Sequence, residues 1–391
     1  MKWRIISAQS QSEEWKPLKK MSNRARGNLL NALILICTLG LVLFLSAKNG
    51  DIGDAFSTML SADLKWIALA ILSWCMFIGF EAMGLHVFFR QQNIKTKYRT
   101  SLLATLIGAF YSSITPAATG GQPMQVFCLK KRNVPAGIST SCLAVKFFTF
   151  QTALLSLGAL MWATHPEVVQ SCIERGRWII ITGFLLNGLS VVAVILLAIN
   201  KNIVRWILTL AIRAGRFLHL VKDVGRTTSR ADAAMNDFHA SVDMLTHHPL
   251  KLLGLYFLSC IQVLGLMSIS YCVYRSLGQS ALSYPDILTL QFLLYIAASF
   301  TPLPGASGAQ EGGFYIFFQG VFPAEQLVGA LLLWRFFTYY FTLIIGFGAV
   351  MVDSAGSLIK HKNKKEKGMM RVAKKDAGSL GPAENAAENH E

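Results

Sequence analysis

The chain has 391 residues, 53% of them hydrophobic and 15% charged, with a mean hydropathy of +0.44. A charged share well below the roughly 25% of soluble domains, with apolar runs near the ~20 residues that cross a bilayer, excludes an ordinary water-soluble domain and points to an all-α polytopic membrane protein. The formal charge of +16 falls in loops between apolar runs, which fits positive-inside topology and not a nucleic-acid partner.

Residues 1–28 are polar and basic (Lys16, Lys19, Lys20, Arg24, Arg26) and are expected in the cytoplasm. Leu29–Ala47 is the first predicted span; with so long a polar leader before it, no cleaved signal peptide is expected. Asn49–Asp63 reads as an outer loop, and Trp66–Phe89 as the second span, returning to Arg90, Lys95, Lys97 and Arg99. Ser101–Ile114 is then apolar for only about 14 residues, roughly 21 Å of helix. It stops at Thr115-Pro116, passes Gly120-Gly121 and emerges at Lys130, Lys131 and Arg132. Basic clusters at both ends predict that 101–129 dips into the membrane and returns to the same face. A single kinked span, the alternative, would leave one basic cluster outside.

Ile138–Ala163 is predicted to cross outward and Trp178–Ala198 to cross back. Residues 200–250 carry seven Lys and Arg residues from Lys201 to Arg230, interleaved with apolar residues at helical spacing. That pattern suits an amphipathic segment on the inner membrane surface. Leu252–Tyr274 crosses outward. Ile287–Phe300 enters, breaks at Thr301-Pro302-Leu303-Pro304-Gly305, and returns through Phe314–Phe322. Gln326–Met351 makes the last crossing, and 356–391 is a basic, cytoplasmic tail that reads as disordered.

The reading is therefore six full transmembrane helices plus two re-entrant helical hairpins within a membrane domain spanning 29–355. The unit 66–163 recurs upside down at 252–351 as an inverted repeat. Ser113-Ile-Thr-Pro echoes Ser299-Phe-Thr-Pro, and Gln122 and Glu311 each precede a cation in the next span, Lys146 or Arg335, by 24 residues.

Ionisable groups inside spans are costly and usually face a partner or a wet cavity. Glu81, His86, Lys146, Glu311 and Arg335 are such groups. Glu311 and Arg335 form either a structural salt bridge or a substrate site, in which Arg335 holds a phosphate through its planar fork. Lys146 is a second phosphate candidate, with Glu81 as its competing structural partner. Glu81 and His86 read alternatively as a proton relay, or His86 as a satisfied histidine near the end of its span. Gly120, Gly121, Gly305 and Gly308 permit positive φ and close approach, and Gln122 and Gln125 line the first break. Half-helices over 123–129 and 312–322 would turn positive N-terminal ends toward the membrane interior, where they favour anions. The seven cysteines form no C-x-x-C pair, so neither a disulfide framework nor zinc is indicated. No catalytic or nucleotide motif is present; no metal or cofactor is expected, and oligomeric state is left open.

Thr115-Pro116-Ala-Ala-Thr-Gly-Gly-Gln-Pro-Met-Gln125, Pro302-Leu-Pro-Gly-Ala-Ser-Gly-Ala-Gln-Glu311-Gly-Gly and Leu333-Trp-Arg335 resemble the lysylphosphatidylglycerol synthase membrane-domain, or flippase-like domain, family over roughly residues 28–355. The resemblance implies an integral membrane protein, expected in a bacterial-type cell membrane, and the basic leader and tail place both termini in the cytoplasm. It implies kinship with the part of phosphatidylglycerol lysyltransferase that moves aminoacylated phospholipid between leaflets, an activity supporting resistance to cationic antimicrobial peptides. The implied partner is a phospholipid such as lysyl-phosphatidylglycerol, or a polyprenyl phosphate. Full-length lysyltransferases also carry a soluble acyltransferase domain that uses aminoacyl-tRNA. Here a short basic tail follows the membrane part, so aminoacyl transfer is expected only with a separate soluble partner. Relatives often have an acidic and a basic residue where this chain has Gln122 and Gln125.

Overall fold

The computed structural model describes residues 52–200, 249–299 and 301–356, with scattered residues between 202 and 248. The predicted leader, the first span Leu29–Ala47, residues 357–391 of the tail and most of the amphipathic segment 200–250 lie outside the described residues. Within them the fold is helical: α1 (Ile52–Leu60), α2 (Leu64–Gln91), α3 (Tyr98–Ile114), α4 (Gly121–Lys130), α5 (Ala136–Thr164), α6 (Pro166–Ile199), α7 (Pro249–Ser276), α8 (Tyr284–Ala298), α9 (Ala309–Phe318) and α10 (Ala324–Arg335). A π-turn at Phe336–Tyr340 follows α10, and the helical run continues to Gly356. Among the described residues five helices are long and apolar enough to cross a membrane: α2, α5, the Gly176–Leu197 part of α6, α7 and the run Ala324–Gly356. The chain is an all-helical polytopic membrane protein.

Among the described residues the expected apolar helices recur with shifted ends. Residues 52–60, read from sequence as part of an outer loop, form α1, which packs on α10. Its nine residues are too few for their pattern to stand out, and the contact with α10 supplies the burial that a short helix needs. The return half-helices begin at Gly121 and Ala309, two to three residues earlier than expected. Helix α6 starts about three turns before the predicted span and bends at Gly176.

Helices α2 and α7 form the central pair. The N–H of Asp63, which caps α2, donates to the carbonyl of Ser276 at the end of α7 at 2.9 Å, so the two run antiparallel. A Cβ on Gly265 would lie 2.9 Å from the backbone nitrogen of Phe77; a small residue there lets the two backbones close up. The main core joins α2 and α7 with α8, α9 and α10, and includes Trp74, Met267, Phe292, Phe314, Phe318 and Trp334. A second cluster, with Phe88, Phe89, Ile107 and Leu129, packs α3 and α4 against the end of α2.

Each half contains a helix, a short 3-10 turn and a return helix. In the first, α3 leads through Pro116–Ala118 into α4, and α3 and α4 pack together. In the second, α8 leads through Pro304–Ala306 into α9, again with the two helices in contact. Chain order brings the first hairpin in from the end of the bundle where α2 finishes, and the second from the opposite end, where α7 finishes. The tips meet in the middle: the N–H of Ala117 donates to the carbonyl of Pro302 at 3.0 Å.

Candidate functional site

The two breaks share a sequence and a backbone. Pro116-Ala-Ala-Thr-Gly-Gly-Gln122 and Pro304-Gly-Ala-Ser-Gly-Ala-Gln310 both read P-x-A-[ST]-G-x-Q. Ala117 and Gly305 have φ of +50° and +61°, and Ala118 and Ala306 of +55° and +51°. Thr119 Oγ1 donates to the Pro116 carbonyl at 2.9 Å, and Ser307 Oγ to the Pro304 carbonyl at 2.8 Å. The Thr119 and Ser307 N–H groups reach the same carbonyls, each at 3.2 Å. Each turn thus pairs its own polar groups, which non-helical backbone at membrane depth requires. The cost is left-handed backbone at three alanines, of order 1 kcal/mol or more each.

This register differs from the one read from the sequence. The Ser-x-Thr-Pro echo sets Pro116 against Pro302, two residues out of step with the structural match to Pro304. In the structural register Gln122 corresponds to Gln310, and Glu311 to Pro123. The repeated seven-residue pattern was the signal that could have found this. Positive φ also falls differently. At the second break it lies at Gly305 and Gly308, as expected, but at the first it lies on Ala117 and Ala118, whereas Gly120 has φ −81°. Gly121 serves packing instead, since a Cβ there would fall 1.9 Å from Ser112 Oγ and 2.8 Å from the Gly108 carbonyl. Gln125 is buried against Gly108, inside the first hairpin, while Gln122 is exposed.

Glu311 and Arg335 meet. Arg335 Nε and Nη2 each lie 2.7 Å from Glu311 Oε1, and Nη2 also donates to the Gly305 carbonyl at 3.1 Å. The other carboxylate oxygen accepts from the Gly308 N–H at 2.6 Å, which fills the N-terminal end of α9 with the chain's own acid. The guanidinium stands 5.5 Å from the Trp334 ring centre and 5.4 Å from that of Tyr339. The side chains are 5% and 3% exposed. This is a clamp: it ties α10 to the second break. The π-turn after Arg335 carries Tyr339, whose hydroxyl donates to the Ser113 carbonyl at 3.1 Å at the first break. One turn of helix thus holds both breaks.

Lys146 and Glu81 also pair, but in a different setting. Lys146 Nζ of α5 donates to Glu81 Oε1 of α2, and Gln262 Nε2 of α7 donates to Glu81 Oε2 at 3.3 Å. Ser259 Oγ donates to Thr149 Oγ1 at 2.8 Å close by. Glu81, Lys146, Thr149, Ser259 and Gln262 line a cleft between α2, α5 and α7 whose other walls are mostly apolar, with Phe80, Phe88, Leu255 and Leu258. In this conformation the cleft has room for about one water molecule. Lys146 and Glu81 are 17% and 12% exposed, several-fold more open than the clamp. Each lies ten residues inside its helix, about 15 Å from the nearer end at 1.5 Å per residue.

His86 does not join Glu81. Its ring packs edge-on against Tyr98 of α3 at 6.0 Å, and its Nδ1 is buried without a hydrogen-bond partner. Among the described residues no cluster of His, Cys, Asp or Glu is arranged to hold a metal. The five described free cysteines lie in the helices, three of them buried.

Apolar spans, two stitched breaks and two charge pairs held between helices define a multi-pass membrane protein. Residues 29–346 match the family described as the lysylphosphatidylglycerol synthase TM region, and the chain belongs to that family. It is 23% identical over 324 residues to a UPF0104 membrane protein of Archaeoglobus fulgidus, covering 77% of this chain and 92% of the relative. A UPF0104 membrane protein of Pyrococcus horikoshii is 33% identical over 100 residues, 25% of this chain and 30% of that one.

Proposed function

We propose that the protein is a lipid translocase of the cell membrane, handling a phospholipid or polyprenyl-phosphate headgroup at mid-depth, with both hairpins re-entrant and related by an inverted repeat. The observation that carries this reading is the Lys146–Glu81 pair, with a few neutral polar neighbours, in a cleft whose remaining walls are apolar. A headgroup needs polar partners and its acyl chains need apolar walls, and this cleft offers both. Ionisable groups at such depth mark pathways more often than scaffolds. The matched breaks, approaching from opposite ends of the bundle, support the inverted repeat, since transporter sites form where such discontinuous helices meet. Membership in a family described by a lysylphosphatidylglycerol synthase supports a lipid as cargo. The ion pairs of Lys131 and Arg132 with Asp353, at 3.0 and 2.6 Å, tie the exit of the first hairpin to the end of the last helix. They support one cytoplasmic face for both, by the positive-inside rule.

In this reading Lys146, not Arg335, meets phosphate, because Glu311 and the Gly305 carbonyl already engage Arg335. Reconstitution with acyl-labelled lipids tests it: wild-type liposomes should exchange lipid between leaflets faster than protein-free ones. Joining the tips by a disulfide between Ala117→Cys and Pro302→Cys, with native cysteines replaced, should stop exchange reversibly. Exchange equal to that of protein-free liposomes across lipid classes would sink the proposal.

A further inference from the structure

The two buried ion pairs differ in how completely they are satisfied. The Arg335–Glu311 clamp is closed by backbone on both sides. The Lys146–Glu81 pair opens on the cleft and has Gln262 as its further side-chain partner. The charged groups lining the cleft are one ammonium and one carboxylate, and the remaining polar groups there, Thr149, Ser259, Gln262 and Cys142, are neutral. The cleft is therefore polar at its centre and carries no net charge.

We infer that Glu81 and Lys146 form a receptor for a net-neutral headgroup, one that carries both a phosphate and an ammonium group. The inference rests on the lipid-handling reading above and names the substrate class of that site. A cleft with room for one water cannot hold a headgroup while the pair is closed, so the pair must part to admit one. A zwitterion then replaces each lost contact, its phosphate taking the Lys146 ammonium and its ammonium the Glu81 carboxylate. No charge is left alone at mid-depth. A headgroup with phosphate alone satisfies Lys146 but strands Glu81 beside a second anion, and like charges a few ångströms apart in a poorly solvated site repel strongly. Gln262, free to donate or accept after an amide turn, serves either state.

The test uses the full chain in liposomes with acyl-labelled phosphatidylethanolamine, phosphatidylcholine, phosphatidylglycerol and phosphatidic acid, and reads the ratio of zwitterionic to anionic exchange. Wild type should favour the zwitterionic pair by about tenfold or more, the factor that ~1.4 kcal/mol of discrimination gives. Glu81→Gln leaves an unbalanced ammonium and should shift the ratio toward the anionic lipids by a similar factor. The double exchange Glu81→Lys with Lys146→Glu keeps the pair and should restore the preference, and it keeps the test readable if a single variant folds poorly. A purely structural pair would change protein yield and leave the ratio alone. Exchange of anionic lipids as fast as zwitterionic ones, or a ratio unmoved by Glu81→Gln, overturns the inference while leaving lipid translocation standing. If no lipid exchanges above protein-free liposomes, translocation fails. The inference is then decided by lipid retained on the detergent-solubilised chain in native mass spectrometry, where an absence of zwitterionic preference overturns it.

Discussion

Removing one half of the Arg335–Glu311 clamp should destabilise the fold severely, because both side chains are almost fully buried. Glu311→Gln keeps the shape and an acceptor for the Gly308 N–H, but leaves a guanidinium 5% exposed with neutral partners. Breaking a buried pair by removing one charge costs about 3–5 kcal/mol. Arg335→Lys keeps the charge but gives up the forked geometry, losing the Nε bond or the Nη2 bond to Gly305; at about 1.5–3 kcal/mol per charged hydrogen bond, it should cost roughly 2–3 kcal/mol. The double variant Glu311→Gln with Arg335→Met removes both charges, and should be less destabilised than the sum of Glu311→Gln and Arg335→Met by about 2–3 kcal/mol, the coupling expected of contacting charges. Equilibrium unfolding by steric trapping in bicelles measures each corner of the cycle. Singles within about 0.5 kcal/mol of wild type, or strict additivity, would refute the clamp. Loss of lipid exchange at unchanged stability would return Arg335 to the role of a phosphate partner.

Other substitutions separate packing from conformation. Gly121→Ala drives a Cβ into Ser112 and the Gly108 carbonyl and should cost about 1–3 kcal/mol by overpacking. Gly312→Ala in α9 meets nothing within 4 Å and should gain up to about 1 kcal/mol from helix propensity; the same unfolding assay must rank them in that order. Ala117→Gly and Ala306→Gly relieve left-handed backbone and should be neutral or stabilising by up to about 1 kcal/mol each. Destabilisation there would mean that the turns are not strained. Tyr339→Phe removes the bond to the Ser113 carbonyl and should cost about 1 kcal/mol, with faster amide exchange near residues 113–115 by mass spectrometry; unchanged exchange would show that the hydroxyl does not hold the first break.

The spans were legible because their composition follows from the solvent: runs such as 66–89 and 252–274 leave a bilayer no other option. The breaks were legible through Pro and Gly, which interrupt runs that otherwise persist. Side-chain partnerships were not. Whether Lys146 meets Glu81 or a ligand depends on how α2 and α5 rotate against each other, and contacts between residues 65 positions apart leave no spacing to read. The helix at 52–60 escaped because its support comes from α10, far along the chain. The register of the repeat was present in the letters, but the Thr-Pro echo, two residues out of step, was the louder signal. Gln125 read as a lining residue because its polarity was visible and its burial against Gly108 was not.

The matched turns at 116–119 and 304–307 have one mechanical consequence. Each pairs its proline carbonyl and its Thr or Ser N–H internally but leaves the Ala117 N–H to the Pro302 carbonyl and the Gly305 carbonyl to Arg335. Neither tip can therefore shift alone without stripping a backbone group of its partner, so the two should move as one block or not at all.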